Sequence, residues 1–204
     1  MISMPHRTIF VHIPKCAGQS VEATFCSDLG LDWARHRHLL GCMQRPRSWS
    51  RKMPERLAHL TAHQYTALNF CPPRMFDAFF RFTIIRHPVD RAISMWRFLP
   101  TKLPFDDFVR AELLPGQERG EFFFQSQCDY IMHPETGRIL VDEVIPFSKL
   151  VQRWEHISRR TGLKTPLAHR NRGSANKPVP ELQPETRILI EQAYSDDFAH
   201  FQDF

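Results

Sequence analysis

Thr8-Ile9-Phe10-Val11-His12-Ile13-Pro14-Lys15-Cys16-Ala17-Gly18-Gln19-Ser20-Val21-Glu22-Ala23-Thr24-Phe25-Cys26 is the stretch that decides how the chain is read. Thr8 to Ile13 is a short apolar, β-branched run, the pattern of a buried strand. Pro14 stops it, a Lys-Cys-Ala-Gly turn follows, and Gln19 to Cys26 reads as a helix with Val21, Ala23 and Phe25 available for packing. A strand–turn–helix junction presents backbone N–H groups at the positive end of the helix dipole, a geometry that binds phosphate. Gly18 lets the backbone come close, Lys15 adds a mobile charge and Ser20 a hydroxyl donor. The loop is not a Walker A sequence, because its Lys precedes its Gly. That weighs against an ordinary kinase or NTPase, with an incidental turn as the bland alternative.

Working outward, Phe82-Thr83-Ile84-Ile85 is a second clear strand, turned by Arg86-His87-Pro88. Val89 to Leu99 reads as a helix with Pro88 near its start. Arg86 thus stands at a strand end, where its planar fork suits a phosphate, and Ser94 lies inside the next helix. A capping Arg and a buried Ser are the plain alternatives.

The rest of the chain follows the same α/β alternation. A short helix is expected from Thr61 to Asn69, ended by Cys71-Pro72-Pro73. Another follows Pro104. Arg138 to Val144 is a third strand candidate, and Ser148 reads as the N-cap of a helix from Lys149 to Arg160, with Gly162 past its end. His169 to Pro180 is a polar loop, and Pro184 opens a last helix through Tyr194. Strands alternating with helices predict a layered α/β domain with a mostly parallel sheet.

The 204 residues suffice for one domain with a sizeable core, so a single domain over 1–204 is expected. Hydrophobic residues make up 42% and charged residues 24%, which argues against extensive disorder. No run approaches the roughly 18 apolar residues that span a bilayer, and the start lacks a signal-peptide core. Five cysteines, an odd count without a Cys-x-x-Cys, read as reduced thiols. A cytoplasmic location is therefore expected. The net charge of +5 fits an anionic ligand, or serves solubility alone.

His12-Ile13-Pro14-Lys15-Cys16-Ala17-Gly18-Gln19-Ser20 resembles the 5′-phosphosulfate loop of the sulfotransferases, closest to the carbohydrate and bacterial group, whose loop reads H-I-P-K-T-[AG]-G-T-S. Phe82 to Ser94 is similar to that family's 3′-phosphate segment, and the two occur in the family's order. More weakly, Gln125-Ser126-Gln127-Cys128-Asp129-Tyr130 and Tyr194-Ser195-Asp196-Asp197-Phe198 resemble later family segments. Cys16 replaces the usual Thr, and Gln19 a common Thr or Ser.

The resemblance implies a P-loop-like three-layer fold, with a mostly parallel central sheet flanked by helices. It also implies transfer of a sulfuryl group from 3′-phosphoadenosine 5′-phosphosulfate (PAPS) to an acceptor hydroxyl, less readily an amine, leaving adenosine 3′,5′-bisphosphate (PAP). Lys15 would meet the leaving phosphate. The loop Cys16, Ala17, Gly18, Gln19 and Ser20 would hold phosphate and sulfate oxygens, and Arg86 and Ser94 would grip the 3′-phosphate. Arg172 and Gly173 look similar to an element that covers it, or form a plain surface turn.

The acceptor needs a general base. His59 matches a family His in an H-x-T-A segment, and His63, four residues on, would share its face of a helix. Glu22 is the runner-up, and His12 is expected to be structural. The Arg-rich, irregular segment 31–58 is expected near the acceptor site and suits an anionic acceptor, or is a solvated basic face. Its Trp33 and Trp49 suit sugar stacking or core packing. The acceptor itself is expected to be a carbohydrate or glycolipid. No metal is expected, since neither His36/His38 nor His59/His63 belongs to an H-E-x-x-H or a Cys cluster. Neither nucleic acid nor an integral membrane segment is expected. An ATP-using phosphotransferase and a non-catalytic phosphonucleotide- or polyanion-binding module stay open as alternatives.

Overall fold

The computed structural model describes residues 1–41, 57–168 and 178–204. Four strands form one sheet in the order β1 (Ile2–Ser3), β2 (Thr8–Val11), β3 (Phe80–Ile85) and β4 (Glu143–Pro146). β1 pairs antiparallel with β2, while β2–β3 and β3–β4 are parallel. The predicted mostly parallel α/β sheet is therefore present. All of β2 is buried, as its mostly apolar, β-branched sequence predicts.

Parallel neighbours need long crossovers, and helices fill them. After β2 come α1 (Gly18–Asp28), α2 (Trp33–His36), α3 (Ala62–Ala67) and α4 (Pro73–Ala78). After β3 come α5 (Pro88–Phe98), α6 (Phe105–Phe108), α7 (Leu114–Glu118) and α8 (Gln127–Ile131). α9 (Leu150–Thr161), α10 (Pro184–Ala193) and α11 (Ser195–His200) follow β4. The main core joins the sheet to α1 and α9 through residues such as Phe10, Phe25, Phe82, Ile84 and Ile157. A second cluster, including Met95, Phe108, Phe124, Ile190 and Tyr194, packs α5 against α10 and the α6–α7 region.

Several boundaries depart from expectation. Strand β2, expected to run from Thr8 to Ile13, ends at Val11, so His12 stands just beyond it. The apolar pattern predicts a strand over Arg138 to Val144, but β4 covers only Glu143–Pro146. Ahead of it, Leu140 donates its N–H to the Ile131 carbonyl at 2.7 Å, and Ile139 forms an isolated bridge with Met132. That apolar run is thus committed to the end of α8. Ser148 does not cap α9: a 3₁₀ turn spans Phe147–Lys149, and the Ser148 hydroxyl donates to the Phe204 carbonyl. Gly162 does end α9, at φ 79°, a left-handed conformation that suits glycine.

Candidate active site

The parallel strands end on one side of a cleft of about 670 Å³. His12 lies just past β2, Arg86 follows β3 directly and Phe147 follows β4, and all three line it. Ligands of parallel α/β sheets bind at these carboxyl ends. The N-terminus of α1 opens onto the same space through Ala17, Gly18, Gln19 and Ser20.

The loop between β2 and α1 is held in an unusual shape. Lys15 and Ala17 both have positive φ, 68° and 60°. Such conformations are uncommon without glycine and persist when the surroundings impose them. Beneath the start of the loop lies Arg91, a 1% exposed side chain in α5. Its Nε donates to the Pro14 carbonyl at 3.2 Å and its NH1 to the Gln125 carbonyl at 2.8 Å. Gly18 is required for a different reason: a Cβ there would fall 1.9 Å from Cδ2 and 2.0 Å from Nε2 of His12. The imidazole lies directly on the glycine.

Cys16 is turned away from the cleft. Its N–H donates to the Ile13 carbonyl at 3.3 Å, and its buried thiol faces the Pro14 carbonyl and Oε1 of Gln127. Burial, the largest influence, raises the thiol to about 11, so it stays protonated. Cys16, expected among the donor-binding residues, is thus placed outside the cleft lining, with both of its donors used inside the protein.

Among the described residues two cations line the cleft, Lys15 and Arg86. Lys15 Nζ sits 3.9 Å from the centre of the Phe98 ring. Burial first, and the Arg86 charge second, lower its pKa to about 8. Arg86 lies over Phe147, 4.7 Å from ring centre to guanidinium carbon, and burial lowers its pKa as well. Its Nε is buried with no hydrogen-bond partner, a state shared among the described residues only by Nε1 of Trp154. A buried orphan donor on a guanidinium is unfavourable unless an acceptor arrives. Ser94, on α5, lines the same cleft.

His59 also lines it. Its Nδ1 lies 2.9 Å from the His12 carbonyl, which can only accept, so Nδ1 is the donor and neutral His59 carries its lone pair on Nε2. The His12 ring is 4.3 Å from that of His59, centre to centre. His12 Nδ1 in turn donates to Oε1 of Glu22 at 2.6 Å, and Trp33 Nε1 donates to Oε2 at 3.2 Å. Burial pushes the Glu22 carboxyl up, but the charge and hydrogen bond of His12 outweigh it and hold the group at about 2. Glu22 is therefore ionised behind His12 rather than on the cleft wall.

His63 is placed elsewhere. The expected common helix face does not form, because Thr61 caps α3 with a capping box and the helix starts at Ala62. His59 instead closes a 3₁₀ turn, Leu57–His59, and the His63 ring packs edge-on against His133. Arg172 and Gly173 lie outside the described residues, as does the basic stretch 42–56. Among the described residues no group of three or more His, Cys, Asp or Glu converges as a metal site would.

Sequence reasoning assigned no role to Gln127, Asp197, Arg91 or the run Phe122-Phe123-Phe124. Gln127 is fully buried in α8. Its Oε1 accepts the Arg86 N–H at 2.7 Å and its Nε2 donates to the Arg86 carbonyl at 2.8 Å. A paired side-chain amide thus fixes the backbone from which the guanidinium departs. The only sequence signal was the resemblance of the segments around Gln127 and Asp197 to family motifs.

The N-terminus of α1, Lys15, Arg86, Ser94 and His59 thus line one cleft at the carboxyl ends of a mostly parallel α/β sheet. A family model described as "Sulfotransferase family" matches residues 1–122, more than half of the chain. The protein belongs to the sulfotransferase family, and its fold is the P-loop-like α/β arrangement of that family: a mostly parallel sheet flanked by helices. Its activity is a transferase activity that moves a sulfuryl group. No curated protein and no solved structure matches the chain. No helix among the described residues is long and apolar enough to cross a membrane.

Proposed function

We propose that the protein transfers the sulfuryl group of PAPS to an acceptor hydroxyl by direct in-line displacement, releasing PAP. The observation that carries this reading is the buried, orphaned Nε of half-buried Arg86, which shares one cleft with Lys15, Ser94 and the N-terminus of α1. A donor with phosphate groups at both its 3′ and 5′ positions supplies acceptors for both sets of groups.

In this reading Ala17, Gly18, Gln19 and Ser20 hold the phosphosulfate, with Cys16 shaping the loop from beneath. Arg86 and Ser94 hold the 3′-phosphate. The acceptor oxygen forms a bond to sulfur as the bond from sulfur to the bridging oxygen breaks. The electron pair of that bond passes to the 5′-phosphate, where the Lys15 ammonium stabilises the growing charge. The hydroxyl proton goes to Nε2 of His59. No metal enters this scheme. The resemblance to the carbohydrate group supports a carbohydrate or glycolipid as the carrier of the hydroxyl. We read 1–204 as one domain, supported by contacts of Asp197 near the chain end with Gln127 beneath the loop. A cytoplasmic location is supported by the free thiols of Cys16, Cys71 and Cys128.

The test is a thermal-shift titration with PAP beside ATP and 5′-AMP, on wild type and Arg86→Ala. Binding raises stability by about 2.7 kcal/mol at a hundredfold excess over Kd. A shift specific to the 3′-phosphate and lost in Arg86→Ala is expected. An equal shift with ATP, or none, overturns the reading.

A further inference from the structure

The His12 ring touches both ends of the path along which the proposed transfer runs. Gly18 opens α1, where the reading above seats the 5′-phosphosulfate. Cδ2 and Nε2 of His12 fill the space that a Cβ on Gly18 would take. On its other side the ring centre lies 4.3 Å from that of His59, the proposed base. Both histidines line the cleft.

Behind this ring stands a carboxylate in a place that ill suits one. Glu22 follows Gly18 by one turn of α1, on the same helix face, and is 2% exposed. Its Oε1 is 2.6 Å from Nδ1 of His12, and Trp33 Nε1 holds its Oε2 at 3.2 Å. Taking a carboxylate out of water is costly, and a bare negative charge one turn from an anion site repels the ligand. Both penalties are offset when a hydrogen-bonded cation stands between carboxylate and ligand. His12 is the side chain in that position.

We infer that Nε2 of His12 donates a hydrogen bond to a sulfuryl oxygen of bound PAPS, and that this contact makes the cleft favour PAPS over its product PAP. The inference deepens the PAPS reading and rests on it. The proton positions follow from the partners. A carboxylate only accepts, so Nδ1 carries a hydrogen; sulfuryl oxygens only accept, so Nε2 carries one too while PAPS is bound. The ring is then an imidazolium whose charge Glu22 balances. In-line transfer moves sulfur from the 5′-phosphate at α1 toward the acceptor at His59, so the sulfuryl group passes beside the ring that touches both. The hydrogen bond orients that group for displacement, and PAP, which lacks it, cannot make the contact. The bonds made and broken are those of the transfer described, and His12 keeps its proton throughout. Glu22 is a positioning residue: it holds the ring by Nδ1 and leaves Nε2 to the ligand.

The experiment is a calorimetric titration with PAPS and with PAP, without acceptor, on wild type, His12→Gln and the double variant His12→Phe/Glu22→Gln. The double variant removes the buried charge together with its partner and keeps a ring over Gly18, so it carries the test if His12→Gln fails to fold. The quantity read is the Kd of PAPS divided by the Kd of PAP. Damage to the loop weakens both ligands alike and leaves this ratio unchanged, whereas loss of a sulfuryl contact raises it. A rise of about tenfold in both variants is expected, the worth of one hydrogen bond to a charged group. In wild type labelled with ¹⁵N-histidine, the Nε2 resonance of His12, assigned by its loss in the variants, is expected to move further with PAPS than with PAP. An unchanged ratio in a folded variant, or equal movement of that resonance with both ligands, overturns the inference. Failure of wild type to bind either nucleotide instead overturns the PAPS reading beneath it.

Discussion

Asp197 holds Gln127 by both ends. Its Oδ1 accepts the Gln127 backbone N–H at 2.7 Å and its Oδ2 the Gln127 side-chain Nε2 at 3.0 Å, while Oδ1 also takes the Cys128 N–H at 3.0 Å. Gln127 in turn brackets the backbone of Arg86. Asp197→Ala leaves several buried donors unsatisfied, each worth about 1–3 kcal/mol. Urea denaturation is expected to show a loss of at least one such group, and PAP affinity is expected to fall although Asp197 does not line the cleft. Unchanged PAP affinity in a folded variant would show that the Gln127 bracket does not position Arg86.

Gly18→Ala drives a methyl into the His12 ring, which must move. A forced displacement in a packed site costs about 1–3 kcal/mol. The variant is expected to lose that stability and to bind PAP more weakly. In a double-mutant cycle with His12→Ala, the two losses are expected to be less than additive, because removing the ring relieves the clash. Strict additivity would break the argument.

Arg91→Lys keeps the charge and loses the fork. A lysine cannot reach the Pro14 and Gln125 carbonyls together, and hydrogen bonds to a charged group are worth about 1.5–3 kcal/mol each. A destabilisation of that order is expected, with PAP binding weakened because the Pro14 carbonyl at the start of the loop loses its anchor.

Lys15 titrates at about 8 in the ligand-free protein. An anionic donor binds the protonated form better, so its presence raises this pKa. Affinity for PAPS is therefore expected to be full below pH 8 and to fall as pH rises through it. In Lys15→Met that limb is absent. Calorimetric titration across pH 7–9.5 reads the difference.

The Glu22 carboxyl, at about 2, lies below its ordinary 4.5. A depressed carboxyl contributes stability that is present above 4.5 and lost as pH falls toward 2. Asp28, also near 2, adds to the same trend: burial pushes it up, but hydrogen bonds from His6, Thr165 and Lys164 outweigh that. The urea midpoint of wild type is expected to drop from pH 4.5 to 2, and the slope to be shallower in Glu22→Gln. Equal slopes would count against the ionised Glu22–His12 pair.

Strands β2 and β3, helices α1 and α5 and the loop between β2 and α1 were legible because each is local: an apolar run, a stop at Pro14 or Pro88, and a helical pattern after it. The third strand was misplaced because Leu140 and Val141 are as apolar as Val144 and Ile145; only the pairing of Ile131 with Leu140 separates them. The shared helix for His59 and His63 failed on one capping residue, Thr61.

What the sequence determined by itself is the chemistry available: Lys15 and Gly18 at a strand–helix junction, Arg86 after a strand, Ser94 two turns on, and a histidine ahead of them. Only the tertiary structure decided which of these share a cleft, that Cys16 and His63 do not line it, and that His12 bridges His59 to Glu22. It also placed Gln127 and Asp197 under Arg86 from opposite parts of the C-terminal half. The reason is physical. Backbone propensity and patterning act over a few residues, whereas burial, desolvation and the satisfaction of buried donors depend on neighbours 70 or more positions apart, as in Gln127 and Asp197.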